Sequence, residues 1–341
     1  MSLDLPLVWA VIMAGAVLMY VLLDGFDLGI GILFPLATPA ERDVMMDTVA
    51  PFWDGNETWL VLGGGGLFAA FPRAYAALMP ALYIPILTML MALILRGVAF
   101  EFRLNGRRRG KRFWTAAFAG ASLIATIAQG LALGGFIQGV TLRNGQFAGG
   151  DFDWLTPYSL LVAAGLVAGY ALLGATWLVW RTEGELHERA RRWAWTAAAA
   201  VAAMLAIVSG ATLLVHPKVA ARWGYVDGSF DPARLLRMSP IPILGALGLA
   251  VIALALRRRA HVWPFLGAVL VFLSGYLGLA AGFFPYMAPY AMDFRQAASP
   301  DNTLALLLGG AAILLPMILG YTVWVYWLFR GKVDADGGIY H

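Results

Sequence analysis

Long apolar runs dominate this chain, and short polar clusters separate them. Nine runs stand out, at roughly 7–36, 51–71, 75–102, 113–139, 155–180, 191–216, 239–256, 262–284 and 303–329. A helix needs about 20 apolar residues to cross a bilayer, and most of the runs reach that length. Backbone groups in lipid must find partners inside their own segment, so each run is expected to be a helix. Strand-like alternation is weak, which argues against an outer-membrane barrel. The seventh run is short and carries Pro240 and Pro242, so eight spans is the competing count. The pattern predicts an all-α integral membrane protein with nine transmembrane helices, forming a single transmembrane domain over 1–341. The first run is too long for a signal-peptide core and lacks a small-residue cleavage site, so it is expected to stay as a span.

Composition sharpens this picture. Of 341 residues, 61% are hydrophobic and only 13% charged, with a mean hydropathy of +0.74. No soluble segment of domain size lies between the runs. Basic residues gather in "EFRLNGRRRGKR" (101–112), "RTEGELHERARR" (181–192), "RRR" (257–259) and after the last run. With nine spans, 16 of the 24 Lys and Arg fall on one side and seven on the other, with Arg96 inside a span. The positive-inside rule makes the richer side cytoplasmic, which puts the N-terminus outside and the C-terminus inside. The net charge of +4 therefore reads as orientation rather than nucleic-acid binding. Trp154, Tyr158, Trp177, Trp180, Trp193, Trp195, Trp324, Tyr326 and Trp327 sit near span ends, as in an interfacial belt. The segment 217–238 has room for a small helix, and the tail 330–341 reads as cytoplasmic and disordered.

Cysteine is absent. That excludes disulfides, thiolate haem ligation and iron–sulfur clusters held by this chain. His187, His216, His261 and His341 fall in loops, at span ends or at the terminus. Membrane haem sites need His well inside helices, so this chain is expected to ligate no haem and no redox metal.

The chemistry lies in acids where lipid should exclude them. Asp24 and Asp27 are three apart and project from one helix face. A carboxylate at mid-membrane costs about 2.5–3.5 kcal/mol on insertion scales, so the pair needs a proton, a cation or a wet cavity. The second run opens "FWDGNETWLVLGGGG", where Asp54 and Glu57 echo the D-G-x-acid spacing of Asp24 and Asp27. A helix-capping box made by Asp54 and Glu57 is the structural alternative. Arg96 lies within the third run and is the natural partner for these acids, with Glu101 and Arg103 beyond it. A less well paired carboxyl in such a cluster can exchange protons. Gln129 and Gln138 in the fourth run suit hydrogen bonds between helices.

"DGFDLGIGILFP", "APFWDGNETWLVLGGGGLFAAFPRAYA" and "RGVAFEFR", in that order, with "TEGELHERAR" and "YTVWVYW" further on, resemble subunit II of the cytochrome bd-type quinol oxidases. The glycine- and alanine-rich text resembles the cyanide-insensitive branch. The resemblance implies two four-helix bundles, 7–139 and 155–284, plus one peripheral helix, 303–329. It implies a heterodimer with a haem-bearing subunit I, and in some members a small third subunit. Subunit I carries two b-type haems and one d- or b-type haem and oxidises quinol with reduction of oxygen. Subunit II ligates no haem, and a structural quinone is known in some members. Residue by residue, Asp27 and Asp54 match the family's proton-path acids, Arg96 and Glu101 its R-x-x-x-F-[DE] stretch, and Trp59 a tryptophan linked to oxygen access. Glu57 stands where some members have Gln. The implied location is the bacterial cytoplasmic (inner) membrane.

Two other classes fit intramembrane acids beside an arginine: a proton- or cation-coupled transporter, and a scaffold with no proton role.

Overall fold

The computed structural model describes residues 3–104, 108–226 and 228–333. Helix α1 (Leu5–Leu33) ends in a 3-10 turn, Phe34–Leu36. A short α2 (Pro39–Asp47) leads to α3 (Trp53–Ala70) and α4 (Pro72–Ala81). Then come α5 (Tyr83–Leu104) and α6 (Arg108–Gln138). A hairpin of β1 (Leu142–Arg143) and β2 (Gln146–Phe147) follows. Its turn is Asn144-Gly145, both at positive φ, the combination that matches strand twist in two-residue hairpins.

The second half begins with α7 (Pro157–Arg181) and α8 (Gly184–Val215). The next connection holds α9 (Pro217–Arg222), a hairpin of β3 (Tyr225–Val226) and β4 (Ser229–Phe230), and α10 (Pro232–Met238). The chain continues through α11 (Pro240–Arg257) and α12 (Trp263–Phe283). A third hairpin, β5 (Tyr286–Ala288) with β6 (Met292–Asp293), precedes α13 (Phe294–Ala297) and α14 (Asp301–Leu328).

Eight of these helices are long and apolar enough to cross a membrane. Helix α3 has 18 residues but opens with Asp54, Asn56 and Glu57, which lowers its hydropathy. Its path is nonetheless lengthwise. Asn56, near its start, bonds the Leu23 carbonyl at 3.3 Å, and Gly66, near its end, sits against Met13. Helix α3 therefore runs antiparallel to α1. Helix α5 runs parallel to α1, because Arg96 meets Asp24 and Arg103 meets Asp43 in α2 at 2.8 Å.

Three sequence expectations need correction. The run 75–102 is not one helix: α4 ends at Ala81 and α5 starts at Tyr83, with Pro80 inside α4 and Pro85 in the first turn of α5. Both prolines lack the N–H that a continuous ladder needs. The polar text at 184–190 is not loop but the start of α8, since its Glu, Leu and Arg residues are good helix formers. The segment 217–238 carries two helices and a hairpin rather than one small helix. Of the tail, residues 331–333 lie against the end of α7. Val333 N–H donates to the Arg181 carbonyl at 2.9 Å and Lys332 pairs with Glu183 at 2.7 Å. The tail beyond Val333 and His341 lie outside the described residues.

Helix α1 is the hub, packing against α3, α6 and α7. It is continuously buried from Asp24 to Gly31, a little over two turns. At its crossing with α7 the backbones touch. A Cβ built on Gly29 would lie 1.9 Å from the Tyr170 carbonyl oxygen, and one on Gly174 would lie 2.5 Å from the Gly29 carbonyl carbon. Only glycine fits there. Beside this crossing Phe26 stacks on Trp177 at 4.2 Å, so the core joins α1 directly to α7.

Candidate functional site

The buried half of α1 places Asp24 and Asp27 in the middle of the helix packing. Both are buried, at 0% and 3% exposure. Arg96 of α5, 2% exposed, reaches across to them. Its Nη1 donates to Asp24 Oδ1 at 2.5 Å and its Nη2 to Glu57 Oε2 at 3.3 Å. One guanidinium thus ties α1, α3 and α5 together, and the fork geometry of arginine lets it serve two carboxylates at once. Removing the charge from water is expensive, and the two acids offset that cost.

Asp27 is held differently. Its Oδ2 accepts from Asn56 Nδ2 at 2.8 Å, and Asn56 Oδ1 accepts from the Tyr326 hydroxyl of α14 at 2.9 Å. Among the described residues, Asp27 Oδ1, Asp24 Oδ2 and Arg96 Nε find no hydrogen-bond partner. A cavity of about 10 Å³ lies here, lined by Asp27, Val49, Trp53, Arg96, Phe100 and Phe118. That is about the room one water molecule needs.

The structure sorts the sequence candidates. Asp24, Asp27, Glu57 and Arg96 come together. Asp54 does not join them; it is exposed in the first turn of α3. The capping-box alternative also fails. Phe52 occupies the cap position without a side-chain bond, and Glu57 is turned to Arg96. Glu101 is exposed on α5. Arg103 is the buried member of that stretch, pairing with Asp43 and donating to Thr115 Oγ1 at 3.0 Å. Trp59 is buried at 4% exposure beside Ala16 and Tyr20, with its ring N–H unpartnered.

Gln129 and Gln138 do bridge helices. Gln129 donates to the Tyr20 hydroxyl at 2.7 Å and accepts from the Tyr170 hydroxyl at 2.8 Å. Gln138 donates to Thr156 Oγ1 at 2.9 Å. Sequence reasoning missed Asn56 and Tyr326 as site residues. Asn56 lay between Asp54 and Glu57 in the D-G-N-E stretch, but an uncharged amide drew no attention beside two acids. Tyr326 read as one more interfacial aromatic.

Among the described residues no group of three or more His, Asp or Glu is placed to hold a metal. His187 sits in the second turn of α8, with its ring centre 5.1 Å from that of His261.

The family model for "Cytochrome bd terminal oxidase subunit II" matches residues 5–329. The chain belongs to this family. Relatives of the bd subunit II family span it nearly end to end. Subunit 2 of the cytochrome bd-I ubiquinol oxidase of Escherichia coli (strain K12) is 29% identical, over 97% of this chain and 96% of the relative. Subunit 2 of the cytochrome bd ubiquinol oxidase of Bacillus subtilis (strain 168) is 28% identical, over 96% of each. In fold, this bd subunit II matches a chain of the bd oxidase from Geobacillus thermodenitrificans with a TM-score of 0.74 at 17% identity. The match covers 97% of this chain and 100% of that one. As a member of the family, the chain is a multi-pass membrane component of an oxidoreductase complex.

Proposed function

We propose that this chain is the haem-free partner of subunit I in a quinol:oxygen oxidoreductase of the bacterial cytoplasmic membrane, and that its buried acids conduct cytoplasmic protons toward the oxygen-reducing haem. In this reading α3 crosses as the ninth span. The N-terminus is then periplasmic and the basic loops cytoplasmic. Helices α1, α3, α5 and α6 make the first four-helix bundle, α7, α8, α11 and α12 the second, and α14 stands outside both. Electrons pass from quinol through the b-type haems and a d- or b-type haem of subunit I. A small third subunit and a structural quinone belong to the family pattern.

The observation that carries the proton role is Asp27: a carboxyl buried at membrane depth, with one oxygen unpartnered beside a cavity that it shares with Arg96. Exposed Asp54, at the cytoplasmic end of α3 in this topology, supplies an entrance. Glu57 and Arg96 set the field around the route, and Trp59, buried but outside the ion cluster, is free for a role in oxygen access.

The test is to purify the tagged complex carrying Asp27→Asn or Asp54→Asn and to record its haem spectrum and quinol-driven oxygen uptake. Full haem content with slowed oxygen reduction supports proton delivery. Unchanged turnover in both variants leaves the acids a scaffold role. A colourless monomer in place of a haem complex would return the transporter reading.

A further inference from the structure

Asn56 links Asp27 to α14, and its orientation is fixed by what surrounds it. The amide nitrogen lies 3.3 Å from the Leu23 carbonyl and 2.8 Å from Asp27 Oδ2. A carbonyl only accepts, so the nitrogen must face Leu23, and its two hydrogens go to Leu23 and to Asp27. The amide oxygen is then turned toward α14. Tyr326, whose hydroxyl is 2.9 Å away, must donate to it. Tyr326 itself is held by stacking on Phe52, with ring centres 4.4 Å apart and an interplanar angle of 27°.

This chain of bonds makes the two oxygens of Asp27 unequal. Oδ2 is occupied by Asn56. Oδ1 has no partner and belongs to a residue lining the one-water cavity beside Arg96. We infer that Tyr326, acting through Asn56, is a positioning residue for Asp27: it fixes Oδ2 as an acceptor and leaves Oδ1 as the oxygen that takes up and releases the proton. The step is a proton transfer alone. The carboxylate becomes the acid at Oδ1 and returns to the carboxylate by losing the same proton. The inference rests on the proton-delivery reading above and adds to it the helix, α14, that prepares the carboxyl.

Without the hydroxyl, Asn56 Oδ1 is left buried with no donor, and relief of that cost shifts the side chain so that its bond to Asp27 Oδ2 weakens. The test uses the whole complex carrying Tyr326→Phe, which keeps the ring and its stack, and Tyr326→Leu, which removes both. Turnover-induced infrared difference spectra identify the Asp27 carboxyl band as the one lost in Asp27→Asn. In Tyr326→Phe that band is expected at higher wavenumber, because the carboxyl has lost a donor. The kcat should fall about five- to tenfold, the rate equivalent of one lost hydrogen bond, with quinol KM and haem content unchanged.

An unshifted band in Tyr326→Phe would overturn the inference. So would wild-type behaviour of Tyr326→Phe with a defect only in Tyr326→Leu, since Tyr326 would then merely pack. The lack of any carboxyl band sensitive to Asp27→Asn would also count against it. Full turnover of Asp27→Asn is a separate result: it defeats proton delivery through this residue, while the infrared shift in Tyr326→Phe still decides whether the hydroxyl positions the carboxyl.

Discussion

Replacing Arg96 with methionine removes the cation that pairs with Asp24 and Glu57 and leaves a shorter, unbranched apolar side chain in its place. In the native protein its guanidinium lies 2.5 Å from Asp24 and 3.3 Å from Glu57. Two unit charges with centres about 4 Å apart attract by about 4 kcal/mol at an effective dielectric of about 20. Glu57 contributes less, because it is 26% exposed and water screens it. With Arg96 gone, Asp24 is fully buried and uncompensated. Removing one member of a buried pair costs about 3–5 kcal/mol. Arg96→Met should therefore lower the thermal midpoint of the purified complex, followed by haem absorbance at one heating rate, and reduce its yield from membranes. Adding Asp24→Asn removes the stranded charge, so the double variant should recover most of that loss. A single variant as stable as the native complex would refute this account. So would a double variant as labile as Arg96→Met, because the loss would then come from packing rather than from charge.

Two further outcomes follow from other contacts. Gly29→Ala places a Cβ 1.9 Å from the Tyr170 carbonyl oxygen, where ordinary contact begins at 3.4 Å. The overpacking should cost about 1–3 kcal/mol or more. The readout is loss of assembled complex, whereas Gly15→Ala, with nothing within 4 Å of its added carbon, should assemble normally or gain slightly from helix propensity. At the end of α7, the hydrogen bond and charge of Lys332 hold the Glu183 carboxyl below the usual glutamate range. A depressed carboxyl stabilises the fold above its unfolded pKa and loses that contribution as pH falls through its folded pKa. The protection factor of the Val333 amide, its exchange rate taken relative to the intrinsic rate at each pH, should therefore fall on acidification below the ordinary glutamate range, and Lys332→Ala should abolish that pH response.

The sequence by itself determined the membrane character, most of the helices and a set of candidate ionic residues. Hydropathy marks nearly every span because a bilayer imposes one solvent rule along the whole chain. Buried charge is so unfavourable that Asp24, Asp27, Asp54, Glu57 and Arg96 stood out as one candidate cluster without any coordinates. The family signatures at 24–35, 50–76 and 96–103 carried the same message in another form. Local polar text was less legible. The start of α8 looked like loop because it is charged, and the break between α4 and α5 was hidden inside one apolar run.

Only the tertiary structure decided which acids meet. Asp54 and Glu57 share one helix and one motif, yet the rotation of α3 sends Glu57 to Arg96 and Asp54 to the surface. The crossing at Gly29 and Gly174 brings α1 onto α7 over 140 residues of separation, and no local pattern encodes that contact. The arrival of Tyr326 at Asn56 is likewise a matter of packing, since α14 lies 270 residues further along. Periodicity fixes which face of a helix is apolar. Which neighbour that face meets, and which oxygen of a carboxyl is left open, depends on close packing among several helices at once.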